Sequence, residues 1–273
     1  TADDIGVPAA GPTVAAAQAK LADVLEQLFA RLDHHNTTIK ASKTKLYTER
    51  MVYCGNIITP EGHRRNPNSI DALKDAALPT NGEQLGHLYH GVRWCASSIP
   101  DFTRQFLDIK LALDAMLRDA GETNGKLTAI KRFNPARYGV TTARMRELVA
   151  AVHSAATLAH RRSSWPLVLH TDASNEGYGG VLLQVPPGHV HDHRERDDAE
   201  PLGFFGGLWS VTEKQYPTFE LEALALLKCV RTSWHILDDG TPLHVFTDNQ
   251  ALSHLFGPNS DYMGTNEPAK GRI

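Results

Sequence analysis

Three short stretches of this 273-residue chain place acids where they could act together. Asp172 and Asp248 each end an apolar run that closes in Thr-Asp, and Glu222 lies in the first turns of a helical pattern between them. Carboxylate oxygens are the ligands that Mg²⁺ prefers, and two such ions roughly 3.5–4 Å apart can activate a water and stabilise the leaving oxygen of a phosphodiester. These residue types therefore indicate metal-dependent phosphodiester chemistry.

The elements around these acids predict an α/β (α+β) arrangement with a mixed sheet. In an open α/β sheet the functional groups gather at the carboxyl ends of the strands, so Asp172 and Asp248 are expected side by side if their strands are neighbours. The Glu222 side chain can then reach the same end of the sheet from the helix. The predicted order is strands 167–171, 178–183 and 201–209, a helix over 218–237, a strand over 243–247 and a helix over 249–256.

The helix carries two acids, and only one of them can join the cluster easily. Residues two apart on a helix point to different faces, and Glu222 lies at the edge of the apolar stripe whereas Glu220 lies further round. Each acid taken alone also has a purely structural explanation. An Asp after a strand is common in a turn or as a helix cap, and a Glu in the first turn of a helix complements the helix dipole. Two matching strand-Thr-Asp contexts with Glu222 between them favour the metal site.

The first half of the chain predicts helices, a hairpin and a polar linker. Thr80 and Glu83 have the spacing of a capping box, and Gly and Pro residues punctuate the polar stretch 121–140. The expected domains are residues 1–120, a linker over 121–140, and residues 141–273. The predicted elements are a strand remnant and loop over 5–17, helices over 18–33, 68–77, 82–97, 103–119 and 141–158, and two short strands within 46–59.

Composition restricts the possible classes of protein. No apolar run reaches the roughly 18 residues of a membrane span, so no membrane partner is expected. Three widely spaced cysteines (Cys54, Cys95 and Cys229) argue against a disulfide framework or a zinc knuckle. The net charge of −3 counts mildly against a nucleic-acid binder, although basic stripes within 40–65 and 126–146 could bind one or could be solvated faces. The start without Met suggests a piece of a longer chain.

Four segments within residues 167–256 occur in an order that is typical of one family. They are Thr171-Asp172-Ala173-Ser174, Pro201-Leu202-Gly203-Phe204-Phe205, Thr212-Glu213-Lys214-Gln215-Tyr216 and Thr247-Asp248-Asn249-Gln250. Together they resemble the ribonuclease H domain of gypsy-type long-terminal-repeat retrotransposon Pol polyproteins. That resemblance implies a ribonuclease H-like fold, Mg²⁺ or Mn²⁺ as cofactor, and metal-ligating, catalytic roles for Asp172, Glu222 and Asp248. The family also uses a fourth acid on a late helix, which the contexts of Asp261 and Glu267 do not match.

The upstream half resembles the end of a reverse-transcriptase palm followed by the thumb and connection. Thr1-Ala2-Asp3-Asp4 resembles the Tyr-x-Asp-Asp motif, with Thr1 as a departure, and implies that Asp3 and Asp4 are catalytic metal ligands. Tyr53-Cys54-Gly55-Asn56 and Ile99-Pro100-Asp101-Phe102 match later parts of the same region. The fingers and the first metal-binding aspartate would precede Thr1, so this chain alone is not expected to synthesise DNA.

The resemblance implies a fragment of a reverse transcriptase/ribonuclease H. Its parent activities would be RNA-directed DNA synthesis and hydrolysis of RNA in RNA·DNA hybrids, with a template-primer or a hybrid as partner. Two alternatives stay open: a catalytically dead remnant that at most binds nucleic acid, and an unrelated ribonuclease H-like enzyme. The His- and acid-rich tract around His189 to His193 is expected to be a solvated loop, the tryptophans are expected to be packed, and the oligomeric state is open.

Overall fold

A computed structural model describes residues 5–66, 77–238 and 240–256, and the chain divides into two compact units, Thr1–Pro60 and Glu61–Ile273. The predicted helix near 68–77, together with Asp3, Asp4, Asp261 and Glu267, lies outside the described residues. None of the helices within the described ranges is both long enough and apolar enough to cross a membrane.

The first unit contains one long helix and a β-hairpin. Helix α1 (Val14–His34) begins four residues before the predicted start because the side chain of Thr13 caps it, accepting a hydrogen bond from the Ala16 backbone N–H. No residue of α1 is buried, and residues 5–13 form no strand. Strands β1 (Met51–Tyr53) and β2 (Asn56–Thr59) pair antiparallel around a tight turn in which Gly55 has a φ of 75°.

The second unit begins with a helical part. Its elements share a core that includes Leu85, Met116 and Leu148. Helix α2 is capped by Asn81, which accepts from the Gln84 N–H, so the cap lies one residue later than predicted. The elements are strand β3 (Gly62–Arg65) and helices α2 (Gly82–Arg93), α3 (Phe102–Gln105), α4 (Leu107–Asp119) and α5 (Thr142–His153).

The polar stretch 121–140 contributes to this helical core. It contains two short 3₁₀ helices, Leu127–Ile130 and Pro135–Tyr138, and it buries Ile130 and Val140 among the helix side chains. Polar residues and glycines therefore surround two apolar anchors. The division of the chain at 121–140 stays a prediction.

A four-stranded mixed sheet follows, as the α/β prediction requires. Its strands lie in the order β6-β5-β4-β7, with β4 antiparallel to β5, β5 antiparallel to β6, and β4 parallel to β7. Helix α6 (Thr218–Leu237) has the predicted bounds, and α7 (Gln250–Phe256) ends the described chain. The strands are β4 (Leu167–Ala173), β5 (Gly177–Gln184), β6 (Glu200–Leu208) and β7 (Leu243–Phe246).

Strand β4 is buried on both faces, which explains its nearly continuous apolar run. Leu167 and Leu169 pack with Cys229 of α6 on one face, whereas Val168 packs with Val185 and Val190 on the other. A strand covered on both sides gains burial from successive residues rather than alternate ones.

The expected packing of the tryptophans is wrong for two of them. Trp234 on α6 is 59% exposed. Cys229 and Ser233 are the fully buried residues near the end of α6, and Trp234 lies one position round the helix from Ser233. Trp94 is also exposed, and the Arg65 guanidinium lies 3.9 Å from its ring centroid.

Candidate metal centre

Strand pairing brings Asp172 and Asp248 to one end of the sheet. Strands β4 and β7 are parallel neighbours, and their last paired residues are His170 and Phe246. Asp172 and Asp248 each come two residues after that pair, so both emerge at the carboxyl ends of their strands. The topology therefore gathers the two aspartates as the sequence pattern predicts.

Glu222 completes a cluster of three carboxylates. One ligand atom of each of Asp172, Glu222 and Asp248 lies within 4.8 Å of the other two. The two aspartates are exposed, whereas Glu222 on α6 is 5% exposed. Glu220 is exposed and does not belong to this cluster. Burial of one acid beneath two accessible ones makes a site that is anchored in the protein and open to solvent.

The electrostatics of Glu222 fit a bound cation. Burial raises the pKa of its carboxyl group, and the negative charges of Asp248 and Asp172 raise it further, against a hydrogen bond from the Ala173 backbone. Among the described residues, the buried oxygen Glu222 Oε2 has no hydrogen-bond partner. An unpaired buried carboxylate oxygen is costly, and a divalent cation between the three acids would satisfy it. The residues present therefore fit a hard divalent metal.

A further acid, Asp101, was not among the predicted site residues. It precedes α3 in the left-handed backbone region, with a φ of 50°. Burial raises the pKa of Asp101, and the charge of Asp172 also raises it, whereas Arg104 lowers it. Asp101 is thus electrostatically linked to the metal centre from the helical part of the chain. Sequence periodicity does not predict this link, because Asp101 lies in the helical part of the chain and Asp172 lies on a strand of the sheet.

Trp209 connects the strand of Asp172 to the helix of Glu222. Its indole Nε1–H donates to the carbonyl oxygen of Ser174 at 2.7 Å, in the turn that follows β4. The ring packs against Leu221 and Ala225 of α6. The strand that presents Asp172 and the helix that presents Glu222 are therefore joined by one buried side chain.

Lys228 packs over the Trp209 ring and is held there by Glu213. Its ammonium group lies 5.1 Å from the Trp209 ring centroid and forms a 2.7 Å ion pair with Glu213. The hydrogen bond from Lys228 is the largest reason that the pKa of Glu213 falls to about 2, and the Ser210 backbone adds to it. Glu213 is therefore ionised at neutral pH and holds Lys228 against the aromatic ring.

Residues 140–245 match the family model described as the RNase H-like domain found in reverse transcriptase. This segment contains Asp172 and Glu222 and ends just before Asp248. With the mixed sheet and the carboxylate cluster, the match defines the class of protein: the chain carries an RNase H-like domain of the reverse-transcriptase type.

Curated Pol polyproteins are similar to this chain over most of its length. The chain is 23% identical over 256 residues to the retrovirus-related Pol polyprotein from transposon opus of Drosophila melanogaster, covering 91% of this chain and 23% of the relative. It is 22% identical to the Pol polyprotein from transposon gypsy of the same organism, covering 80% of this chain and 19% of the relative. The Tf2-3 polyprotein of Schizosaccharomyces pombe is also 22% identical, over 84% of this chain and 15% of its own length.

The chain is therefore a homologue of the Pol polyproteins of gypsy- and Tf2-type retrotransposons, and it spans less than a quarter of the length of these relatives. This confirms the resemblance. Solved structures agree on the fold: the foamy viral protease-reverse transcriptase in complex with an RNA/DNA hybrid has a TM-score of 0.62 at 18% identity, over 92% of this chain and 31% of that chain. The same viral protein in complex with dsDNA has a TM-score of 0.57, over 93% of this chain and 46% of that chain.

Proposed function

We propose that the RNase H-like domain of this chain hydrolyses the RNA strand of RNA·DNA hybrids in a reaction that depends on Mg²⁺ or Mn²⁺. The observation that carries the proposal is the cluster of three carboxylates, in which Glu222 is buried and its Oε2 has no hydrogen-bond partner among the described residues. Kinship with Pol polyproteins supports it, as does the likeness to a viral reverse transcriptase that was solved with a hybrid.

In this proposal Asp172, Glu222 and Asp248 hold the metal. When bound, a divalent ion would act as a Lewis acid that lowers the pKa of a coordinated water and stabilises the charge on the leaving 3′ oxygen. The protein contributes the arrangement of its acids: the Ala173 backbone N–H donates to the Glu222 carboxylate, and the buried oxygen Oε2 has no hydrogen-bond partner among the described residues. The exposed Asp172 and Asp248 leave the centre accessible to a bulky backbone phosphate.

For the parent protein we propose RNA-directed DNA synthesis beside the nuclease activity, with a template-primer as a second partner. Asp3 and Asp4 are the residues of this chain that resemblance assigns to the polymerase site, as catalytic metal ligands. The proposed domains are residues 1–120 from the palm, thumb and connection, a linker over 121–140, and the nuclease over 141–273.

The test is cleavage of an end-labelled RNA·DNA hybrid by the purified chain with Mg²⁺ or Mn²⁺. Asp172→Asn, Glu222→Gln and Asp248→Asn should each lower the cleavage rate by roughly 100-fold or more, because changes to groups that merely support metal ligands already cost about 10–100-fold. Glu220→Gln is the matched control, since Glu220 is an exposed acid in the first turn of the same helix. Its cleavage rate should stay near that of the parent chain.

The alternative, a nucleic-acid-binding module without catalysis, predicts a different result. Folded protein would bind the hybrid but cleave neither strand with either metal. Cleavage that persists in all three acid variants would instead exclude the proposed centre as its source.

A further inference from the structure

Positive charge is concentrated on the two short 3₁₀ helices of the 121–140 stretch. This stretch has four basic residues and one acid, Glu122, and therefore a net charge of +3 in a chain whose net charge is −3. All four basic side chains are exposed. We call this set the cationic stripe, and its members are Lys126, Lys131, Arg132 and Arg137.

The 3₁₀ geometry separates the apolar side chains of this stretch from the cations. Side chains three residues apart eclipse one another in such a helix, so an apolar residue at every third position makes one inward column. The residues between these positions point away from the core, and they include the cations at 126, 131 and 132. The apolar column that packs on the helical core consists of Leu127, Ile130 and Phe133.

Helix α2 holds the first of these turns in place. The Gly82 N–H donates to the Phe133 carbonyl oxygen at 2.9 Å. A Cβ at Gly86 would lie 2.6 Å from Leu127 Cδ2, so the missing side chain of this glycine makes room for the leucine. Cations on a backbone that is fixed in this way lose little conformational freedom when they bind a partner.

Two aromatic rings bring the second turn beside the first. Phe133 and Tyr138 meet edge to face with ring centroids 5.8 Å apart, and each ring directly follows an arginine of the cationic stripe. A hydrogen bond to Asp119 raises the pKa of Tyr138, whereas the charges of Arg132 and Arg137 lower it. Both guanidinium charges therefore act on the same hydroxyl group at the surface.

The cationic stripe has no ion-pair partner among the residues that the structure describes. Arg144, a nearby basic residue at the start of α5, differs because it pairs with Asp108 and Glu147 and so joins α5 to α4. The carboxylate of Asp119 accepts a hydrogen bond of 2.7 Å from the Tyr138 hydroxyl. Within the described ranges the stripe thus lacks a counter-charge, which a polyanion would supply.

We propose that the cationic stripe binds the phosphate backbone of an RNA·DNA hybrid. Lys and Arg side chains that neutralise phosphates release condensed counterions, and this release supplies most of the sequence-independent affinity for nucleic acid. The choice of a hybrid as the polyanion rests on the proposed function. The contact itself needs neither a bound metal nor cleavage, and an acidic protein is the competing partner.

The test is a titration of a fluorescent hybrid of about 20 base pairs with the full chain in EDTA, at several salt concentrations from about 50 to 200 mM. The double variant Lys131→Gln/Arg132→Gln should bind at least tenfold more weakly than the parent chain at the lowest salt. Its plot of log K against log salt should be less steep by about 2, because each lost phosphate contact removes about 0.9 from the slope.

The matched control is Lys20→Gln/Arg231→Gln. It removes the same net charge at exposed cations on α1 and α6, outside the cationic stripe. Its slope should equal that of the parent chain, and both double variants should keep the parent Tm because the altered side chains are exposed. An equal loss of slope in the control would reduce the effect to net charge and overturn the proposal.

Other outcomes also count against the cationic stripe as a hybrid-binding surface. The proposal fails if the parent chain does not bind the hybrid, or if Lys131→Gln/Arg132→Gln keeps the parent slope. Polyglutamate of matched charge that competes as well as unlabelled hybrid would assign the stripe to an acidic protein. Asp172→Asn should bind the hybrid in EDTA as the parent chain does, so loss of the proposed nuclease activity and loss of this contact are separate results.

Discussion

At the scale of single residues, the clustering of acids that suits a metal lowers the stability of the metal-free protein. Glu222 is a carboxylate beneath two other acids, with one buried oxygen lacking a partner among the described residues. Its raised pKa means that the folded state holds a proton more tightly than the unfolded state. The corresponding stability is fully present at acidic pH and is lost as the pH rises through the folded-state pKa.

Glu222→Gln should therefore stabilise the metal-free protein at pH 7. The substitution removes a charge that folding forces close to Asp172 and Asp248, so we expect Tm to rise by about 2–4 °C, the change that roughly 1 kcal/mol produces in a protein of this size. Scanning calorimetry in EDTA measures it, beside Glu220→Gln, whose Tm should not change. A lower Tm for Glu222→Gln would show that the carboxylate is not under electrostatic strain.

Bound metal should make the parent chain more stable than Glu222→Gln. A metal at about 100 times its Kd stabilises the folded state by about 2.7 kcal/mol, which corresponds to a rise of roughly 5–10 °C in Tm. We expect Mn²⁺ to produce such a rise in the parent chain and in Glu220→Gln, but not in Glu222→Gln or Asp172→Asn. An equal rise in all four proteins would place the bound metal elsewhere.

At the scale of secondary-structure elements, one glycine determines how closely α6 approaches the sheet. A Cβ at Gly180 would lie 2.6 Å from Cys229 Sγ and 3.0 Å from the His170 carbonyl oxygen, whereas a Cβ at Gly179 would meet nothing within 4 Å. The two glycines are neighbours on β5 and face opposite sides of the sheet. Only Gly180 is required by the packing of the helix that carries Glu222.

Gly180→Ala should destabilise the protein by about 1–3 kcal/mol, the usual cost of overpacking a core. Gly179→Ala should stay within about 0.5 kcal/mol of the parent chain, as surface substitutions usually do. Urea unfolding followed by circular dichroism compares the two. Equal destabilisation by both would mean that strand glycines matter here for backbone reasons rather than for contact with α6.

The loop between β5 and β6 is fastened to the sheet by a chain of hydrogen bonds. His193 Nδ1 contacts the Val190 carbonyl, which can only accept, so His193 Nε2 must accept from His170 Nε2–H at 2.7 Å. His170 Nδ1 then accepts from Arg194 at 3.0 Å. The prediction of a solvated loop is wrong for His193, which is 3% exposed, because its ring packs on Phe246.

This arrangement requires both histidines to be neutral and predicts sensitivity to acid. Burial, followed by the charges of Arg194 and His193, lowers the pKa of His170 to about 4. The folded-state pKa lies below the unfolded value, so the stability is present above pH 6.5 and is lost as the pH falls toward 4. The fall in Tm between pH 7.5 and pH 4.5 should be smaller in His170→Gln than in the parent chain. Equal falls would remove His170 as the cause.

At the scale of the whole molecule, the helical part and the RNase H-like segment share a core. Met145, Leu148 and Val152 of α5 pack with Leu85 of α2 and Met116 of α4. Helix α5 belongs to the segment that matches the RNase H-like domain, yet its apolar face is covered by upstream helices. A cut at the predicted boundary would expose that face.

A chain of residues 141–273 should accordingly be less stable than a chain of residues 61–273. Each large α5 side chain that loses its cover costs about 1.5–3 kcal/mol. We expect the shorter chain to bind the dye ANS and to be digested rapidly by protease, and the longer chain to resist. Equal resistance would support the predicted linker as a true domain boundary.

The local features of this protein can be predicted from its amino-acid sequence. Apolar runs and caps predict the four strands of the sheet and the bounds of α6, and the Thr-Asp endings with Glu222 predict the acid cluster, because hydrophobic periodicity and strand ends are encoded in neighbouring residues. Features that depend on contacts between distant segments become visible only in the folded chain. The charge of Asp172 acts on Asp101, His193 is buried on Phe246, and the 121–140 stretch places Ile130 in a core, because long-range packing leaves no periodic trace in the sequence.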